Sequence, residues 1–149
     1  MTLTTFSPHQ IICLEHHYNA LYAESIQMIH EKQQVWARPI VLAILPSEFH
    51  GQYPKTTLDP ETASGSYSVT RHPEAIPWLY QATLWDLRSG SDLLWPIHFF
   101  RPALDTEMIP IMTQLGEPKQ YTEGDRPAGH TAFQQFIRTA WHAYAAHSR

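Results

Sequence analysis

The sequence contains one cysteine among 149 residues, and this scarcity excludes an intrachain disulfide. Proteins without disulfides are typical of reducing compartments, so we expect a cytoplasmic location. Charge is also scarce, because only 16% of the residues are charged, against about 25% in average domains. The net charge is −4 and neither sign is clustered, so the sequence lacks the basic stripe that a nucleic-acid or anionic-membrane surface needs.

Long apolar runs are missing as well. No run approaches the ~20 residues that span a bilayer, and the first residues lack the pattern of a signal peptide, so we expect no membrane partner. The chain nevertheless has 43% hydrophobic and 12% aromatic residues, which is enough apolar surface to offset the entropy of ordering the chain. Its length fits one domain, and we predict a single domain over 1–149.

The N-terminal part of the chain shows the spacing of an amphipathic helix. Ser7-Pro8 provides a helix cap followed by a residue suited to the first turn. Apolar side chains then recur at helical intervals, namely Ile11, Leu14, Tyr18, Leu21, Tyr22 and Ile29. Arg38-Pro39 ends the pattern, because the residue before a proline is displaced from the helical region. The spacing predicts a long N-terminal helix to about residue 34.

The middle of the chain alternates between apolar and loop-like segments. Residues 40–45 are apolar at both parities, which is typical of a central strand buried on both sides. Residues 46–77 hold five prolines and predict a long flexible loop, interrupted by a short strand at about 65–70. Residues 78–87 and 93–100 favour two strands joined by turn residues into a β-hairpin, with Pro96 placing the second strand at an edge.

The C-terminal part favours helices. Asp105 and Glu107 suit the first turn of a short helix that follows Pro102, and Pro110 divides it into two short pieces that end near Gly116. Residues 133–144 carry a strong apolar stripe at helical spacing. The predicted fold class is therefore α+β, with a small, mostly antiparallel sheet flanked by a long N-terminal helix and a C-terminal helix.

No catalytic constellation stands out, although the sequence has ten histidines. Zinc needs three or four ligands at compatible spacing, and the Glu15-His16-His17 run does not place two histidines on one helix face. Cys13 and His17 could share a helix face, yet a cysteine beside an apolar stripe is more typical of inert packing. Asp105 and Glu107, two residues apart, would diverge on a helix. We predict no catalytic residues, no metal and no cofactor.

The aromatic residues remain as the strongest feature of the sequence. Exposed aromatic side chains beside arginine are typical of protein-contact surfaces, and an edge strand could also capture a peptide by strand addition. The residues predicted to contribute to a partner surface are Trp78, Tyr80, Trp85, Trp95, Phe99 and Arg101. The alternative is that these aromatic residues are simply the core.

Several segments resemble a known family. They are residues 13–24 (CLEHHYNALYAE), 36–39 (WARP) and 94–107, from LWPI through FFRPALDTE. They are similar to small cyanobacterial proteins of about this length, and within that group to the CcmS family of carboxysome shell assembly factors. The resemblance implies a cytosolic, chaperone-like protein that binds the C-terminal tail of a shell protein. It does not identify which residues of this sequence would bind that tail.

Three hypotheses for function follow. The first is a non-enzymatic assembly factor or adaptor that binds a protein partner, with a segment of a carboxysome shell protein as one such partner. The second is a small enzyme or a ligand- or metal-binding protein with a pocket lined by His16, His17 or His98. The third is a structural subunit whose aromatic face forms a homodimer. The sequence leaves the oligomeric state open.

Overall fold

The computed structural model describes residues 5–53, 58–60, 67–69, 75–116 and 125–147. The strands are β1 (Ile11–His16), β2 (Asn19–Ile29), β3 (Gln34–Ile44), β4 (Leu58–Pro60), β5 (Tyr67–Val69), β6 (Thr83–Asp86), β7 (Leu93–Pro96) and β8 (Phe100–Pro102). The helices are α1 (Asp105–Gly116) and α2 (Asp125–His147). Short 3-10 turns lie at His30–Lys32, Ser47–Gln52, Leu79–Gln81 and Ile97–Phe99.

Six strands form one antiparallel sheet in the order β6-β3-β2-β1-β8, with β7 also paired to β3. β4 and β5 pair separately as a two-stranded sheet. β2 and β3 are the longest strands, and two register shifts between them bend the centre of the sheet. At each shift one strand has an extra residue, Ile40 in β3 and Ile26 in β2, which is the geometry of a β-bulge.

The predicted long N-terminal helix is wrong, and the fold class built on it is wrong in the same respect. Residues 11–29 form the antiparallel pair β1 and β2, joined by a tight turn at His17 and Tyr18. Both faces of β1 and of the first half of β2 are covered, so the residues there are mostly apolar at both parities. A continuous apolar run contains the intervals of three and four that also mark a helix, and the periodicity therefore could not separate the two.

The predicted β-hairpin of residues 78–100 is also wrong. β6 pairs with residues 41–44 of β3, and β7 pairs with residues 34–37 of the same strand. Both run antiparallel to β3 on its side away from β2, so they are two collinear pieces of one edge strand. Residues 87–92 form an outward excursion between them rather than a hairpin turn. Leu87 keeps this segment attached, because its backbone N–H donates to the carbonyl of Ile40 at 2.8 Å.

Each face of the sheet has its own core. The first face packs against α2, where Phe136 and Ala140 meet Leu14, Leu21 and Leu42. The second face packs against α1 and the segment around Trp78, where Ile111 and Leu115 meet Cys13, Tyr22 and Val41. The predicted central strand at 40–45 falls within β3 and its C-terminal flank, and the apolar stripe at 133–144 lies in α2.

Part of the predicted loop at 46–77 lies in the described residues. There it forms the 3-10 turn Ser47–Gln52 and the strands β4 and β5, whereas 54–57, 61–66 and 70–74 lie outside the description. β5 falls within the short strand predicted at about 65–70. Pro110 sits inside a continuous α1 rather than dividing it. In the part of the chain that the structure describes, neither helix combines the length and apolarity that a bilayer crossing requires.

Candidate functional site

The six residues predicted for a partner surface do not form one surface. Trp78 is buried in the core of the second face, while Trp95 and Phe99 are buried in the core of the first face. Trp85 is half-buried beneath Gly129 of α2. Tyr80 alone is well exposed, at 79%. Helices and loops pack on most of both faces of the sheet, so most of the predicted aromatic residues belong to the core. The role of these residues in partner binding stays a prediction.

The sixth residue, Arg101, is the centre of a buried charge network. Its Nη1 and Nη2 donate to the two carboxylate oxygens of Glu107, each at 2.8 Å, and its Nε donates to Glu15 Oε2 at 2.9 Å. The hydroxyl of Tyr22 donates to Glu107 Oε2 at 2.6 Å. Strand register places Arg101, Cys13 and Tyr22 side by side on β8, β1 and β2, and Glu107 reaches them from the first turn of α1.

Burial and pairing set the protonation of this network. Burial raises the pKa of Cys13 well above its usual value, even though the charge of Arg101 opposes the shift. Burial also raises the pKa of the Tyr22 phenol. For Glu107, burial alone would raise the pKa, but hydrogen bonds from Arg101 and Tyr22 lower it below its ordinary value. The network therefore holds a neutral thiol and an ionised carboxylate, an arrangement suited to fixing α1 on the sheet rather than to nucleophilic chemistry.

Two of the three histidines of the second hypothesis, His16 and His17, lie at the turn that joins β1 and β2. His16 is 2% exposed, its ring stacks on His17 at 4.0 Å, and neither ring nitrogen has a hydrogen-bond partner. Burial, together with the charge of His17, lowers the pKa of His16 to about 4. His98 lies exposed on the 3-10 turn after β7. Among the described residues, no three His, Cys, Asp or Glu side chains are placed to hold a metal.

A hollow of about 230 Å³ lies beside the same turn and includes His17, Tyr18 and His50. Tyr18 is fixed there, because its hydroxyl donates to the carbonyls of His50 and Tyr53, both at 2.8 Å. His50 stacks on the Tyr18 ring at 3.9 Å, and its Nε2 lies 2.7 Å from the Leu45 carbonyl. Through these contacts, Tyr18 and His50 attach the Ser47–Gln52 turn to the sheet.

The second face has one end that α1 does not cover. Three cross-strand rows lie there: Ile11, Glu24 and Arg38; Gln27, Trp36 and Leu94; Ile29, Gln34 and Pro96. The bulges at Ile26 and Ile40 keep these rows on the second face despite the register shifts. Trp36 is 38% exposed and Leu94 51% exposed, which is high for large apolar residues in a sheet. We call this end of the sheet, which no described segment covers, the open face; two hollows lie on it.

The first of these hollows is apolar. It measures about 290 Å³ and is formed by Ile29, Trp36, Asp92, Leu93 and Leu94. Trp36 and Leu94 are direct cross-strand partners, so their side chains stand next to each other on the sheet. Apart from the Asp92 carboxylate at one side, only apolar residues line this apolar hollow, and it could receive aliphatic or aromatic side chains.

The second hollow carries guanidinium groups. It measures about 430 Å³ and is lined by Ile11, Glu24, Arg38, Pro39, Ile40, Arg88 and Met112. Met112 comes from α1 and is exposed, whereas the other residues come from the sheet and from the excursion at 87–92. Tryptophan, arginine and methionine are the residue types enriched at protein-contact surfaces. We call this second space the arginine hollow.

Asp92 joins the two hollows. Its Oδ2 accepts a hydrogen bond from Trp36 Nε1 at 2.8 Å, and its Oδ1 accepts one from Arg38 Nε at 3.1 Å. The hydrogen bond from Arg38 is the main reason that the pKa of Asp92 lies below its usual value. Trp36 and Arg38 are two residues apart on the same face of β3, so the hollows are adjacent and Asp92 fixes their shared wall.

Sequence reasoning missed the open face because it placed Trp36 and Arg38 in the segment that follows a predicted helix, not in a strand. The available signal was alternation: Val35 and Ala37 are small and apolar, whereas Trp36 and Arg38 are large, which is the pattern of a strand with one covered face. No protein-family model, no curated protein and no solved structure matches this chain.

Proposed function

We propose that the protein is a non-enzymatic binding protein that recognises a short segment of another protein on the open face. The observation that carries the proposal is the pair of adjacent hollows, one apolar and one lined by two guanidinium groups, on an uncovered end of the sheet. Their exposed Trp36, Leu94 and Met112 would lose contact with water when a partner binds, and burial of such side chains is the main favourable term in protein association.

The rigidity of the open face supports the same function. Its side chains stand on paired strands, and Asp92 fixes both Trp36 and Arg38 through hydrogen bonds. A surface that is already ordered loses little side-chain entropy when a partner binds, so more of the contact energy appears as affinity. The size of the two hollows fits a segment of a few residues rather than a whole domain face.

The resemblance to the CcmS family supplies a candidate partner within this proposal. It implies a tail segment of a carboxysome shell protein, which would lie extended over the two hollows. A synthetic peptide with that tail sequence, labelled for fluorescence anisotropy, is the direct probe. Saturable binding by the wild-type protein that is lost in a variant of the open face would support both the function and the partner.

The function is tested separately from the identity of the partner by capture of soluble proteins on the immobilised chain. We expect a stoichiometric partner on the wild-type protein that is lost with Leu94→Asp, because a charge in the apolar hollow must be desolvated. Tyr80→Asp is the matched control, since Tyr80 is an exposed apolar-type residue that lines neither hollow. A partner that survives Leu94→Asp and is lost with Tyr80→Asp would move the site to the surface that the sequence predicted.

The homodimer hypothesis makes a different prediction for the same variants. If the open face binds a second copy of the chain, light scattering after size exclusion gives a dimer for the wild-type protein and a monomer for Leu94→Asp. A wild-type monomer that captures a stoichiometric partner supports the proposed function. A monomer that captures nothing and binds no shell-tail peptide contradicts it.

A further inference from the structure

We propose that the segment bound on the open face is apolar and carries an acidic side chain, Asp or Glu, whose carboxylate is received by Arg38 in the arginine hollow. This inference rests on the proposed function and specifies the chemistry of the partner. Its basis is the pairing of each charged group in the hollow, the unengaged N–H donors of Arg38, and the position of the hollow beside the apolar hollow.

Two guanidinium groups line the arginine hollow. Arg38 and Arg88 both face it, whereas Glu24 is its one acidic residue. Glu24 is already engaged, because its Oε2 lies 2.6 Å from His9 Nδ1. Arg88 is held in place by Asp86, with Nε–Oδ1 and Nη2–Oδ2 distances of 3.0 and 2.8 Å. Asp86 and Asp92 offset much of the charge of the two guanidinium groups, so the hollow offers a ligand the unengaged N–H donors of Arg38 rather than a net positive field.

Arg38 is the group placed to form the contact. Within the described part of the chain its side chain uses only Nε for hydrogen bonding, to Asp92, and 51% of the side chain is exposed. The two terminal nitrogens therefore face solvent in a guanidinium plane whose position Asp92 fixes. A planar, preoriented guanidinium is the preferred partner of a carboxylate, which it can bind through two parallel hydrogen bonds.

The surroundings of Arg38 indicate that the acid is part of an apolar segment. Ile11, Ile40 and Met112 form apolar walls, and a carboxylate placed between them has less water around it, which strengthens its attraction to the guanidinium. The apolar hollow begins one side-chain row away, at Trp36 and Leu94. A segment that fills both hollows continues past Arg38 in both directions, so the carboxylate belongs to a side chain rather than to a chain end.

The test is selection of random dodecapeptides displayed on phage with their C-termini fused to the coat protein, so that no peptide has a free carboxyl end. We expect enrichment of peptides in which Asp or Glu is flanked by aliphatic or aromatic residues. On the Arg38→Gln protein the acidic preference should disappear, whereas Arg138→Gln, which removes an exposed arginine of α2, should keep it. A second library with free C-termini shows whether a terminal carboxylate replaces the side chain, an outcome that would overturn the inference.

The best selected peptide is then measured in a double-mutant cycle. Glu→Gln in the peptide and Arg38→Gln in the protein should each weaken binding by about five-fold, with little further loss when the two changes are combined. Enriched peptides that lack an acidic residue and are lost with Leu94→Asp would overturn this inference and leave the proposed function standing. A lack of any enrichment, or enriched peptides that ignore Leu94→Asp, would overturn both.

Discussion

The guanidinium of Arg101 holds the carboxylate of Glu107 through two parallel hydrogen bonds, each 2.8 Å long, with both side chains inside the protein. The two residues belong to different elements, since Arg101 is in the edge strand β8 and Glu107 in the first turn of α1. Glu107 also accepts hydrogen bonds from the Tyr22 hydroxyl and from the backbone N–H of Leu104. This one carboxylate thus connects the helix start, the edge strand and the centre of the sheet.

Removing Arg101 should be strongly destabilising. Arg101→Met leaves Glu15 and Glu107 buried without their shared cation, and loss of one partner from a buried ion pair costs about 3–5 kcal/mol. Glu107→Gln should cost less, about 2 kcal/mol, because Arg101 keeps Glu15. Urea unfolding at pH 7 measures both, with Arg88→Met as the exposed control, expected within about 1 kcal/mol of the wild type. Equal effects of Arg101→Met and Arg88→Met would contradict the buried network.

His16 should make stability fall as the pH drops from about 6.5 to about 4. Its pKa is near 4 in the folded protein, so below its ordinary value the unfolded chain binds a proton that the folded chain does not. The difference amounts to about 3 kcal/mol, most of which is lost by pH 4 and the rest as the pH falls below the folded pKa. His16→Leu should flatten this part of the stability–pH curve without loss at pH 7, because the ring nitrogens have no hydrogen-bond partner to lose. If the His16→Leu curve has the same slope as the wild-type curve between pH 6.5 and 4, the pKa of His16 is not lowered in the folded protein.

Below about pH 4, protonation of Glu107 should be the main cause of the further loss of stability. Its pKa is below the ordinary value in the folded protein, so its contribution is complete above about pH 4.3 and is lost as the pH falls through the lower, folded-state pKa. Glu107→Gln should therefore remove part of the acid loss below about pH 4 and leave the change between pH 6.5 and 4 intact. The two variants can be separated in one series of urea titrations from pH 3 to 8.

Cys13 should react slowly with thiol reagents in the folded protein. It is fully buried and burial raises its pKa, so neither access nor thiolate is available. With Ellman's reagent at pH 8, we expect a native rate at least about a hundred-fold below the rate in urea, because reaction requires opening of the structure. A native rate close to that of the unfolded chain would contradict the burial and would reopen a role for this thiol.

The predicted partner residues should divide by their effect on stability. Trp95→Ala should cost about 3–5 kcal/mol, because the ring is buried and packs edge-on against Phe99 and Trp141 at 5.5 and 5.3 Å. Tyr80→Ala should stay within about 0.5 kcal/mol of the wild type. Thermal and urea unfolding give both values, and a small effect of Trp95→Ala would place that ring outside the core.

The sequence pattern predicted buried strands only where the context removed the ambiguity. Residues 40–45 were recognisable because six consecutive apolar residues between two prolines are too short for a helix. In residues 11–29, a two-residue turn without glycine joins two equally apolar strands. His17 adopts a positive φ of 56° there, a conformation that histidine adopts only occasionally, so the composition gave no turn signal.

The open face was not predictable, because it depends on which half of a sheet face a helix covers. Strand alternation can identify Trp36 and Arg38 as one side of β3, yet Val41 and Ala43 on that same side are buried in the core of the second face. The difference arises from the position of α1 and from the bulge at Ile40, both of which are tertiary features. The pairing of Arg101 with Glu107 and Glu15 likewise required strand register that no local pattern contains.

The divided edge strand has a consequence for behaviour at high concentration. β6 and β7 contain four residues each, the excursion at 87–92 separates them, and Pro96, which has no N–H to donate, ends the second piece. Along this edge of the described sheet, a neighbouring molecule therefore finds no long, flat row of backbone groups to extend, and short or interrupted edges are how natural sheets avoid edge-to-edge aggregation. Association of this protein at high concentration should therefore depend on its exposed side chains rather than on addition of strands at this edge.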